Sequence, residues 1–181
     1  NGGFGPWDSQ DTEENWLTPY VLNFLLDAQE QGFTIPDQML QRGLKRLLER
    51  LPANEEGFAI KYQDSGQNKH ATIAAKAFAS YVLARLNRAP LGTLRTLYDQ
   101  SLKEAKSALP FAHLGLVLYL QGDQKRGLTA INQALTQKYV QTSGYNGDYG
   151  SHLRDLAQII HLIHQHHLDL PGQETLWFDL D

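Results

Sequence analysis

The feature that most constrains this chain is the spacing of its apolar residues, three and four apart in seven successive stretches separated by proline, glycine or polar segments. That spacing lines up side chains on one face of a helix turning 100° per residue, and a strand has no use for it. The first stretch predicts a helix over 16–31, capped by Asn15, with Leu17, Tyr20, Val21, Phe24, Leu25 and Ala28 on one face and Gly32 just past its end. Pro19 falls in the first turn, where a missing N–H costs little. Pro36 opens a second helix through Leu40, Leu44, Leu47, Leu48 and Leu51, stopped by Pro52. The polar stretch 53–69, with Gly57 and Gly66, reads as a long connection. A third helix is expected over 71–87, burying Ala74, Ala77, Phe78, Tyr81 and Val82, and its many alanines imply a close helix–helix approach.

Pro90 punctuates the pattern again. A fourth helix is expected over 91–106, with Leu94, Leu97, Tyr98 and Leu102 on one face. The fifth, 108–120, is apolar nearly all round and so is expected to be buried. Gly122 and Asp123 turn the chain into a sixth helix holding Leu128, Ile131 and Leu135. Segment 139–149 has the glycines and polar residues of a loop. The seventh helix, 150–168, is expected to face inward with Leu153, Leu156, Ala157, Ile160 and Ile163. The chain has 29 Leu and 16 Ala against 11 Val plus Ile, a balance that favours helix over strand. The reading is an all-α fold of about seven helices in antiparallel hairpins.

Composition then narrows the function. A net charge of −4 argues against a nucleic-acid partner, which needs a concentrated basic surface. No run of 18 apolar residues exists, so no segment reads as a bilayer-spanning helix. There is no cysteine, which removes disulfides, thiolate nucleophiles and cysteine-ligated zinc, without fixing a compartment. Asn1 opens directly on Gly2-Gly3-Phe4, with neither an initiator methionine nor a charged-then-apolar leader, so the chain is expected to be a piece of a longer protein.

Four constellations could carry chemistry. The run Asp8-x-x-Asp11-x-Glu13-Glu14 has the carboxylates to hold magnesium against a diphosphate, but no basic or glycine-rich cradle accompanies it. It reads better as an acidic approach to a helix N-terminus, where the dipole favours negative charge. His161, His164, His166 and His167 form the second. With Ile160 as the face centre, His164 and His167 continue the apolar stripe, and imidazoles three apart can share zinc. No glutamate stands beside them as in a catalytic zincin, so structural histidines are the better reading. The third, Asp148-Tyr149-Gly150-Ser151-His152 with Arg154 and Asp155, has the ingredients of a Ser-His-Asp triad but no strained nucleophile turn. Ser151 reads instead as an N-cap, with Arg154 and Asp155 pairing in the first turn. Finally, Leu114-Gly115, Leu118, Gly127, Ile131 and Ala134 resemble one tetratricopeptide unit, for which no second copy is found.

The segment Gly2-Gly3-Phe4, Trp7, then Trp16-Leu17-Thr18-x-Tyr20-Val21-Leu22 resembles the thioester (complement-like) domain of the bacterial alpha-2-macroglobulins. Ala89-Pro90-Leu91-Gly92-x-Leu94-Arg95 and Gly147-Asp148-Tyr149-Gly150-Ser151-x-Leu153-Arg154-Asp155 carry the resemblance further, in the same order. It runs from residue 1 to about 170. The resemblance implies an α/α toroid of inner and outer helical rings, of which residues 1–181 would be the central part, one helical domain of a larger multidomain protein. It further implies a lipid-anchored parent on the inner membrane, facing the periplasm, that traps peptidases as an inhibitor in envelope defence. In that family, cleavage of a bait segment triggers rearrangement, and a Cys–Gln thioester captures a nucleophile of the attacker. Some members work alongside a peptidoglycan synthase.

The family's Cys-x-x-Gln motif lies upstream of the Gly-Gly-Phe segment. It is therefore either trimmed from this chain or missing from a thioester-less parent. The family's downstream segment is absent as well, so the ring is expected to be open at both ends and the isolated chain only modestly stable or self-associating. A histidine between the second and third helices assists thioester chemistry in complement relatives. His70 lies in the comparable linker, but no such role is assigned to it. The expectation is a non-enzymatic trap module with no catalytic, cofactor-binding or metal residues, partnered by peptidases and by the parent's other domains. The alternatives are a tetratricopeptide-like interaction scaffold and an α/α toroid enzyme.

Overall fold

In the computed structural model, residues 2–5, 13–52, 65–137 and 148–170 are described, with no side-chain description for 65–68. Among these residues there are seven α-helices and no strand: α1 (Leu17–Glu30), α2 (Asp37–Arg50), α3 (Ser65–Arg85), α4 (Leu91–Thr96), α5 (Leu109–Leu120), α6 (Gln124–Thr136) and α7 (His152–Gln165). The odd-numbered helices touch in series, α1 on α3, α3 on α5 and α5 on α7. Helix α2 packs on α1 and α3, while α4 and α6 pack on α5. Alternate helices thus form two layers, the arrangement of an arc of an α/α toroid. Burial follows from it. Helices α3 and α5, in the middle of the inner layer, are covered on all sides from His70 to Ala84 and from Leu109 to Leu118. Helices α1 and α7, at the arc's two ends, bury one face each, and Tyr20, Phe24 and Leu153 stay largely exposed.

Several sequence expectations need correction. Asn15 does not cap α1, because its side-chain oxygen accepts a bond from Arg50 at 2.8 Å instead. Helix α3 starts at Ser65 rather than near 71, over a polar first turn that has no apolar stripe to announce it. His70 is therefore inside a helix and not in a linker. The fourth helix is not continuous. It passes into a π turn at Leu97–Ser101 and a 3-10 turn at Leu102–Glu104. Five residues separate buried Leu97 from buried Leu102, and in an α-helix they would point about 140° apart. The wider turn brings both onto the core side.

In α6 the buried residues are Gly127, Ala130, Ile131 and Ala134, whereas Leu128 is 39% exposed. Close approach decides this. A Cβ on Gly127 would stand 2.6 Å from the Tyr119 nitrogen, and one on Gly115 would stand 2.9 Å from the Gly127 carbonyl oxygen. Backbones this near require the small-residue face inward. The α5–α6 hairpin therefore shows the tetratricopeptide-like spacing for a reason of local packing. In α7 the inward set is Asp155, Leu156, Ile159 and Leu162, about one residue round from the expected stripe, and Leu153 and Ala157 face solvent. The displacement carries His161, His164 and His167 to the exposed side, leaving His166 half-buried.

Candidate functional site

The functional candidates converge where α3, the turn before α5 and the segment before α7 meet. His70 is 0% exposed and both ring nitrogens are engaged. Its Nδ1 accepts the Lys106 backbone N–H at 2.9 Å, which leaves Nε2 to donate to Asp148 Oδ2 at 3.0 Å. The pair spans 78 positions in sequence, so it fastens two distant segments to one another. Asp148 Oδ1 accepts the Gly150 N–H at 2.9 Å, and the Arg154 guanidinium stands 3.6 Å from Oδ2 while also donating to the Asp148 carbonyl. Burial alone would raise this carboxyl. The His70 hydrogen bond, the Gly150 N–H and Arg154 outweigh it and hold Asp148 below the ordinary carboxylate range.

Asp155 differs although it is equally buried. Its Oδ1 accepts from Arg154 at 2.6 and 3.0 Å, but Oδ2 has no hydrogen-bond partner. The Ser107 hydroxyl lies beside it, also buried and also without hydrogen-bond geometry. Here burial, with the Asp148 charge adding to it, outweighs Arg154 and the adjacent Ser107 hydroxyl, and the carboxyl is raised. Ser151 accepts the Arg154 N–H at 3.1 Å and caps α7, as its sequence context indicates. Among the described residues its hydroxyl oxygen makes this cap, not a bond to a histidine that would activate it as a nucleophile.

A cavity of only about 10 Å3 adjoins the cluster, lined by Trp16, His113, Asp148, Arg154 and neighbours. That is room for about one water molecule and not for an organic substrate. His113 stacks between Phe78, at 4.8 Å and 5°, and Tyr81, at 5.4 Å and 20°. Burial, with the Arg154 charge adding to it, pushes this imidazole down to about 3. Tyr81 in turn meets Gln165 Oε1 at 3.0 Å and His166 Nε2 at 3.1 Å, and burial pushes its phenol up to about 12. Burial lowers His166 as well, with the nearby Arg85 charge second.

The remaining candidates are placed separately. Asp8 and Asp11 lie outside the described residues. Glu13 is bound by Arg46 at 2.7 Å and Arg50 at 3.2 Å, and its carboxyl meets the Thr18 hydroxyl, which receives the Phe4 N–H at 3.0 Å. The Gly-Gly-Phe segment is thereby stitched to α1 and α2. A Cβ on Gly3 would strike the Glu13 side chain at 2.3 Å, and one on Gly2, at φ +96°, the Arg42 carbonyl oxygen at 2.4 Å. Among the described residues no three His, Asp or Glu side chains converge as a metal site. Sequence reasoning missed the His70–Asp148 pair and the stacked His113. For the second, the only signal was a histidine in a helix apolar on every other face.

No protein-family model matches the chain. An alpha-2-macroglobulin from Xylella fastidiosa (strain Temecula1) is 43% identical over 175 residues, which is 97% of this chain and 10% of the relative. A structure of the native conformation of Escherichia coli alpha-2-macroglobulin superimposes with a TM-score of 0.92 at 40% identity, covering 99% of this chain and 11% of that one. A structure of trypsin-activated alpha-2-macroglobulin from the same organism gives 0.90 at 40% identity, over 99% and 12%. The chain spans about a tenth of the length of the curated relatives it matches. It is a homologue of one segment of the bacterial alpha-2-macroglobulins.

Proposed function

We propose that this chain is the helical module of a bacterial alpha-2-macroglobulin-type peptidase trap, and that it turns over no substrate itself. The observation that carries the reading is homology along 97% of the chain to alpha-2-macroglobulins, together with a structural match to one activated by trypsin. The match to native and activated forms is nearly equal, at 0.92 and 0.90, which favours a module that moves as a body when the trap fires. The site geometry supports the absence of turnover. His70 and Asp148 are committed to each other and to backbone groups, and the adjoining space holds about one water. A catalytic pair needs a reacting atom within hydrogen-bond reach, and none has room there.

On this reading the partners are peptidases and the parent's other domains. The parent resides in the periplasm on a lipid anchor at the inner membrane, in some cases alongside a peptidoglycan synthase. The test is to treat the full-length parent with trypsin or elastase and follow the enzyme by gel filtration and denaturing electrophoresis. Retention after bait cleavage, covalent or steric, is the expected result. Release of all peptidase activity from the cleaved parent would overturn the reading.

A further inference from the structure

We draw no further inference here: the strongest candidate, the exposed aromatic face of α1 formed by Tyr20 and Phe24, with Trp16 stacked between Tyr20 and Tyr149 at its start, is an unpartnered apolar surface at one end of the arc, and nothing in the structure shows what covers it.

Discussion

Replacing Asp148 by Asn removes one charge and almost no volume, and the geometry dictates a large cost. Both neighbours of this carboxylate are donors: His70 Nε2–H at Oδ2 and the Gly150 N–H at Oδ1. Asn can accept at one position only, so its NH2 must face an N–H. Rotating the proton to His70 Nδ1 gives no escape, because that nitrogen already receives the Lys106 N–H at 2.9 Å. The substitution therefore loses one charge-assisted hydrogen bond, about 1.5–3 kcal/mol, and leaves Arg154 without part of its countercharge. At 2% exposure solvent offers little relief, so the total is about 3 kcal/mol, near the range for breaking a buried pair. Urea unfolding followed by circular dichroism measures it as a fall in midpoint at constant slope. A double-mutant cycle with His70→Gln should return a coupling of about 1 kcal/mol or more. A loss below about 0.5 kcal/mol with an unchanged slope would refute the argument that the tautomer is locked. The pH dependence has a definite sign: the folded carboxyl is depressed, so its stabilisation is present above the unfolded pKa of about 3.9 and is lost as pH falls through the lower folded value.

Further predictions concern Asp155, His113 and two glycines. Asp155→Asn, at the same burial, should cost less than about 1 kcal/mol near pH 7, because burial already disfavours the charged form of this carboxyl; a loss equal to that of Asp148→Asn would contradict this. Asp155 also has the opposite pH sign, since its raised carboxyl contributes most when protonated and that contribution is lost as pH rises through the folded value. His113, pushed down to about 3, stays neutral in the fold while the unfolded chain takes up a proton below about pH 6.5. Stability should then fall by up to about 1.4 kcal/mol per pH unit from pH 6 toward 4, and His113→Phe should flatten that slope in a series of urea melts. Gly127→Ala puts a Cβ 2.6 Å from backbone and should cost about 1–3 kcal/mol, whereas Gly92→Ala, with nothing within 4 Å, should gain about 0.5–1; thermal melts of the two decide it.

The sequence by itself determined that the chain is helical, where most helices stop, and which family it resembles. Those are local matters: apolar spacing, proline and glycine punctuation, and the order of short motifs around Gly2-Gly3-Phe4 and Trp16. Even the capping role of Ser151 was legible, because a cap is decided within three residues. The tertiary structure alone decided which face of each helix is buried and which polar residues are paired. Leu128 and Leu153 look like core by spacing, yet they lie outside, because the small residues of α6 and the buried Asp155 of α7 fix the rotation of those helices. The fourth helix unwinds because Leu97 and Leu102 must reach one core, a demand set by α3 and α5. His70 reads as a linker residue in one dimension and is a locked cross-brace in three. Its partners lie 36 and 78 positions away, and periodicity carries no information about contacts closed over such loops.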